Sequence, residues 1–287
     1  MNVLVPTTLD EALAALAGSE DALVLAGGTD AMVEVNAGHR HPRTVISVNR
    51  VVELRSWTYD PSTSSVRIGA GVTYSELMEP PLADLFPALA QAARTVGSPQ
   101  IRHAGTLGGN LGTCSPAGDG LPVLSALDAV VHLASTAGER SLSIHDFMVG
   151  VKRTARRPDE LIAAVTLPVL SDWQGYTKVG VRNAMVIALA SACLAIDTSS
   201  DNSSSSVRLA LGSVGPTILR CADAEAHAMA TVDIASASVS APAVQRFGEL
   251  AAAASRPIDD HRASADYRRH CVGVLSSRLL RRAFPNG

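Results

Sequence analysis

Between residues 105 and 120 the chain places six glycines, Gly105, Gly108, Gly109, Gly112, Gly118 and Gly120, interleaved with Thr106, Asn110, Thr113, Ser115 and Asp119. Glycine lets a backbone come close to a ligand with no Cβ in the way. A purely structural turn does not need so many small and hydroxyl residues. A shorter version stands at Leu25-Ala26-Gly27-Gly28-Thr29-Asp30, directly after the apolar run Ala22 to Ala26, which reads as a buried strand. Successive exposed backbone N–H groups form a concave anion site. Two such loops predict a ligand with two linked phosphates, gripped from both sides, as a dinucleotide would be. Neither loop carries G-x-x-x-x-G-K-[ST] or G-x-G-x-x-G, so a P-loop and the Rossmann type are both excluded.

Composition narrows the class. The 287 residues suffice for one large domain or two, and 47% of them are apolar, enough for a packed core. A net charge of −3 argues against a nucleic-acid binder. Cys114, Cys193, Cys221 and Cys271 lie far apart with no C-x-x-C pair, so the chain predicts no zinc site, no iron–sulfur cluster and no other metal site of its own. Reduced thiols in the cytoplasm are the expectation. The start Met1 to Pro6 lacks the basic and apolar regions of a signal peptide. The longest apolar stretch, about Ala184 to Ile196, falls short of the roughly 20 residues a transmembrane helix needs.

Along the chain, Thr8-Leu9-Asp10-Glu11 and Thr73-Tyr74-Ser75-Glu76 read as capping boxes. The first opens a helix with Leu9, Leu13 and Leu16 on one face, ending near Gly18. Strands are expected at Thr44 to Val48, Val66 to Gly69, Ala129 to Ala134 and Leu161 to Leu167. A helix is expected from Phe86 to Val96, broken by Gly97-Ser98-Pro99, and another from Leu121 to Leu127, with Pro122 in its first turn. Asp172-Trp173-Gln174-Gly175 suits a domain boundary. The polar tract Asp197 to Ser206 reads as the tip of a hairpin between Leu189–Ile196 and Val207–Ser213. Helices follow at Ala222–Met229, Val244–Ala254 and Ala263–Arg282. The pattern is alternating α and β with an α+β remainder.

These motifs together resemble the FAD-binding medium subunit of the molybdenum hydroxylases, the xanthine dehydrogenase and carbon monoxide dehydrogenase family. The resemblance covers nearly the whole chain. It runs from Pro6–Leu13 and the Ala26–Asp30 loop, through Ile101–Asn110 and Pro116–Asp119, to Lys178–Arg182, Ile187-Ala188, Leu211–Thr217 and Ala265–His270. It implies an α+β fold: a two-subdomain FAD-binding domain of the vanillyl-alcohol-oxidase (PCMH) type over 1–172, its internal boundary near 50–55. A smaller α+β C-terminal domain, a sheet packed with helices, would occupy 173–287.

The resemblance also implies the site. Leu25, Ala26, Gly27, Gly28, Thr29 and Asp30 would meet the pyrophosphate of non-covalently bound FAD, with Gly105, Thr106, Gly108, Gly109, Asn110 and Thr113 opposite. Asp119 would accept from ribose or ribityl hydroxyls, with a helix N-cap as the plain alternative. Ile162 would offer a backbone contact to the isoalloxazine, and Lys178 a cation near it. Tyr74 and Tyr176 are further candidates. His103, beside Arg102, reads as a loop residue rather than a general base, and no catalytic residue is expected. Arg268, Arg269, Arg278, Arg281 and Arg282 read as a solvated basic face, with a subunit contact as the alternative.

The implied role is a flavoprotein subunit that takes electrons from the [2Fe–2S] clusters of a small subunit and passes them to an external acceptor. A large subunit would carry molybdopterin and oxidise the organic substrate, which this chain would not do alone; a dimer of heterotrimers is expected. Two alternatives stay open. One is a stand-alone FAD reductase such as the cell-wall enolpyruvyl-sugar reductases, against which Tyr267-Arg268-Arg269 and Gly212–Thr217 speak. The other is a non-catalytic scaffold, against which the two Gly-Gly pairs speak.

Overall fold

The computed structural model describes residues 1–198 and 205–286. The chain divides into two compact units that do not follow chain order. The first comprises residues 1–77, 97–115 and 128–168, and the second residues 78–96, 116–127 and 169–287.

The first unit holds two larger sheets and a two-stranded ribbon of Met148–Gly150 with Arg153–Thr154. Asn2–Leu4, Thr44–Ser47 and Ala22–Leu25 form a parallel three-stranded sheet, Thr44–Ser47 in the middle. The capping box at Thr8 is present, with its hydroxyl accepting from Glu11 N and the Glu11 carboxylate reaching back to Thr8 N. It starts the Leu9–Ala17 helix, whose Ala12, Leu13 and Leu16 pack with Leu4, Val24 and Ile46 of the sheet. The other sheet is antiparallel, in the order Trp57–Asp60, Ser65–Gly69, Leu161–Pro168, Val130–Ser135, Gly138–Ser143. Its central strand is bulged. Ile162 pairs with Leu133 and Ala164 with His132, which leaves Ala163 as the extra residue.

In the second unit Gln174–Val179, Ala190–Asp197, Ser206–Gly212 and Leu219–Arg220 form an antiparallel sheet. The helices Ala222–Thr231, Ala241–Ala254 and Ala265–Ala283 supply Ala228, Phe247, Val272, Leu275 and Leu279 to a core shared with Leu194, Leu209 and Leu211. Pro87–Thr95 and Gly120–Ala126 pack against this same sheet. The expected hairpin is formed by its two strands; residues 199–204 of its serine-rich tip lie outside the described residues. Among the described residues no helix is long and apolar enough to cross a membrane.

Candidate functional site

In the first unit, the strand Ala22–Leu25 delivers the chain into the first Gly-Gly loop, where Leu25 to Thr29 are half-buried. Gly28 has φ +70°, a conformation costly for any residue with a Cβ. A Cβ on Gly27 would collide with the Ala104 carbonyl and lie 3.0 Å from Gly105 N. The two glycine segments therefore touch, and glycine at 27 is what lets them. The N–H groups of Gly27, Gly28, Thr29 and Asp30 have no acceptor among the described residues. The chain then enters the short helix Ala31–Asn36, with Met32 N bonded to Gly28 O at 3.1 Å.

The second glycine run differs from its expected form. It is a helix, Leu107–Thr113, preceded by the helix Pro99–Ala104. The Thr106 hydroxyl caps it, accepting from Gly109 N at 2.9 Å, and buried Leu107 and Leu111 anchor one face. Cap and packing together outweigh the helix cost of its three glycines, about 1 kcal/mol each. Its first amides are committed: Leu107 N donates to Val72 O at 3.0 Å and Gly108 N to Ala70 O at 2.8 Å. The expectation of a second set of phosphate-gripping N–H groups is therefore corrected.

What this helix offers is bare surface. A Cβ on Gly109 would meet only Thr106 Oγ1, at 3.1 Å, and one on Gly112 only Ile162 Cδ1, at an ordinary 3.7 Å. Both glycines are exposed and stand i,i+3 on one helix face. Nothing within the chain demands glycine at 112, whereas a Cβ at 109 would require the capping Thr106 hydroxyl to give by a few tenths of an ångström. Gly108 is different, since its Cβ would sit 2.7 Å from Ala70 O. Between them, Asn110 Oδ1 is buried with no hydrogen-bond partner among the described residues. A buried acceptor left unmatched is costly and marks a place where a donor belongs. Thr113 is half-buried, followed by Cys114 in a left-handed conformation at φ +47°. Tyr74 is buried, its backbone N bonded to Gly105 O at 3.0 Å, and His103 is exposed at the end of its helix.

Asp119 and Lys178 lie in the second unit, where they form a buried pair, Lys178 Nζ to Asp119 Oδ2 at 2.7 Å. Tyr176 donates its hydroxyl to Asp119 Oδ1 at 2.8 Å. Tyr176 and Lys178 alternate on one strand and so share a face. Lys178 also donates to Thr95 O at 2.9 Å and Val186 O at 3.1 Å, which engages all three of its N–H donors. Burial raises the Asp119 carboxyl above its ordinary range, opposed by Lys178 and Tyr176, and burial pushes the Tyr176 hydroxyl well above 10. Asp119 stands at the N-cap position of the Gly120–Ala126 helix, as the alternative had it, but its side chain makes no cap bond there. The basic C-terminal face is also divided. Arg268 points inward to Leu189 O at 2.8 Å and Asp260 Oδ1 at 2.7 Å, whereas Arg278, Arg281 and Arg282 are exposed.

Residues 1–170 match the FAD binding domain in molybdopterin dehydrogenase, and residues 175–283 match the CO dehydrogenase flavoprotein C-terminal domain. The chain belongs to this family of FAD-binding subunits. Among its relatives, the glyceraldehyde dehydrogenase medium chain of Sulfolobus acidocaldarius is 30% identical over 96% of this chain and 95% of that protein. The carbon monoxide dehydrogenase medium chain of Hydrogenophaga pseudoflava is 28% identical over 97% and 95%. The solved carbon monoxide dehydrogenase from Hydrogenophaga pseudoflava, in a form lacking the Mo-pyranopterin moiety of its molybdenum cofactor, superposes with a TM-score of 0.90. That match covers 99% of this chain and 97% of the other, at 28% identity.

The residues present fit FAD. The unpaired N–H groups of Gly27 to Asp30 suit a pyrophosphate, Asn110 Oδ1 suits a hydroxyl donor, and Gly109 and Gly112 leave a face on which a ligand can lie. Sequence reasoning did not set Gly112 beside Gly109, although their i,i+3 spacing is visible. It also missed the joining of Tyr176, Asp119 and Lys178, which are far apart in sequence.

Proposed function

We propose that this chain is the electron-transfer subunit of a molybdenum hydroxylase. It takes electrons from [2Fe–2S] clusters of a small partner subunit and hands them to an external acceptor. A large molybdopterin-bearing subunit oxidises the organic substrate, and the assembly is a dimer of heterotrimers. The observation that carries the reading is the cradle itself. Four amides, those of Gly27 to Asp30, have no acceptor among the described residues, Asn110 Oδ1 is buried without a donor, and Gly109 and Gly112 lie exposed on one face of the neighbouring helix. FAD, when bound, supplies both one- and two-electron chemistry.

Gly27 to Asp30 hold the pyrophosphate, Leu25 and Ala26 shape the approach, and Gly105, Thr106, Gly108, Gly109, Asn110 and Thr113 form the opposing wall. Hydrogen bonds to a charged group contribute about 1.5–3 kcal/mol each, so a few suffice without a covalent link. Ile162 contributes at the bulged strand. Lys178, its donors spent on Asp119, Thr95 and Val186, acts by holding the chain around Val186 in place. The FAD-binding domain is 1–172 and the C-terminal domain 173–287, supported by the matches over 1–170 and 175–283. The four buried, unpaired cysteines support a reducing cytoplasmic setting.

The test is purification from the native host through a tag on this chain, with the visible spectrum, metal content and co-purifying chains recorded. Flavin absorbance together with a large and a small partner, iron and molybdenum is the expected result. A yellow protein that comes down alone would mean a stand-alone reductase. A colourless single band would mean a scaffold.

A further inference from the structure

Parallel sheets are ordinarily buried on both faces. In the first unit, the parallel sheet puts Leu4, Val24 and Ile46 under the Leu9–Ala17 helix. Its other face carries Val3, Val45, Leu23 and Leu25, by the same register. The cover there is the helix Ala31–Asn36, which buries none of its six residues although four are apolar. Met32 and Val33 are exposed, and Val3 is 52% exposed. An apolar depression of about 230 Å³ remains, lined by Val3, Leu23, Leu25, Met32, Val35 and Val45. A helix this short has little stability of its own and depends on packing.

A basic run of the chain adjoins this depression. Pro42 lines it, within the run His39-Arg40-His41-Pro42-Arg43. Neither Arg40 nor Arg43 forms an ion pair among the described residues, and Arg43 is exposed. The acid on the covering helix, Glu34, is already paired with Lys152 at 2.7 Å. Arg40 also acts on Glu34, which leaves the exposed Arg43 as the cation without an acid; an apolar floor with such a cation beside it has the make-up of a protein interface.

We propose that this half-covered sheet face is the seat of another subunit of the complex, which presents an apolar side chain flanked by carboxylates. The proposal rests on the multi-subunit reading given above. Charge complementarity selects an acidic segment over a second copy of this chain, whose own copy of the face is equally basic. The apolar side chain fills the space over Leu23 and Val45, and the carboxylates meet Arg40 and Arg43.

The experiment uses the purified complex carrying Val3→p-benzoylphenylalanine, with a control in which Val130, 37% exposed on the other sheet, bears the same photoreactive group. Irradiation is followed by mass-spectrometric identification of the joined peptides. The expected result is an adduct from position 3 to an acidic segment of a different subunit, absent from the control. In parallel, Arg40→Glu/Arg43→Glu should lower the salt concentration that strips this subunit, by about tenfold, with flavin per chain unchanged. An adduct to a second copy of this chain, no adduct at position 3, or an unchanged salt dependence in the double variant would each overturn the proposal. A wild-type chain that purifies alone would instead remove the multi-subunit reading on which it stands.

Discussion

Replacing Gly109 separates folding from cofactor binding. Gly109 occupies the third position of the Leu107–Thr113 helix, at negative φ, with its Cβ direction open except for the capping Thr106 hydroxyl at 3.1 Å. Alanine there restricts the unfolded chain and suits a helix, a gain of about 0.5–1 kcal/mol set against the few tenths of an ångström that the capping Thr106 hydroxyl must yield. For a chain this size the apoprotein melting temperature should rise by roughly 2–4 °C at most. On the proposed reading of the site, the same methyl group would occupy the surface on which FAD lies. Gly109→Ala should weaken FAD by at least about tenfold, or 1.4 kcal/mol, and Gly109→Val should abolish binding. Ligand at a hundredfold excess over Kd stabilises by about 2.7 kcal/mol, and that increment should shrink in Ala and vanish in Val. Gly108→Ala is the contrast, because its Cβ would meet Ala70 O at 2.7 Å and the apoprotein should lose about 1–3 kcal/mol. The assay is flavin retained per chain after desalting, with thermal melts taken with and without added FAD. Full flavin content in Gly109→Val would refute the placement of the site. A destabilised Gly109→Ala apoprotein would refute the argument that packing leaves this glycine free.

Lys178→Met should cost about 3–5 kcal/mol at neutral pH, since it strands a carboxylate in a pair whose side chains are each under a tenth exposed. Asp119→Asn in the same chain should recover part of that cost in a denaturation double-mutant cycle, and a single-variant cost below about 1 kcal/mol would contradict the buried-pair reading. With the lysine gone, burial raises the Asp119 carboxyl against only the hydrogen bonds of Tyr176 and Thr95, so the cost should shrink as pH falls and the acid is neutralised. Asp260 behaves in the opposite sense. Hydrogen bonds from Arg262 N and then Arg268 hold its carboxyl down at about 2. Its contribution is therefore complete above the usual carboxylate value of about 4 and lost as pH falls towards 2, and Asp260→Asn should flatten the melting curve against pH in that window. An unchanged pH slope would show that Asp260 is not the responsible acid.

Elements with a strong local signal were legible. The Thr8 capping box fixed the first helix at Leu9–Ala17, and the long amphipathic run at the C-terminus gave Ala265–Ala283 against an expected Ala263–Arg282. Edge strands such as Trp57–Asp60 and Gly138–Ser143 were not, because every residue of the former is exposed and the latter is polar. Their strand identity comes from their neighbours. The second glycine run read as a loop because helix propensity alone forbids it, whereas Thr106 and the buried leucines decide otherwise. Gly27 and Gly28 were singled out by their spacing, and the structure brings Gly27 against Ala104 and Gly105. Lys178 as a brace was not legible, because its partners at Thr95, Asp119 and Val186 come from three separate segments.

The interleaved path of the chain has a consequence for its synthesis. The helix Pro87–Thr95 leaves the ribosome well before Gln174–Val179, the nearest strand of the sheet it packs against, and the interval is about 80 residues. At about 5–20 residues per second this is roughly 4–16 s during which an alanine-rich, largely apolar helix face has no permanent cover. The Gly120–Ala126 helix, buried along its whole length in the finished protein, waits as well. A fragment beginning at residue 173 would lack both helices and expose the sheet surface they cover.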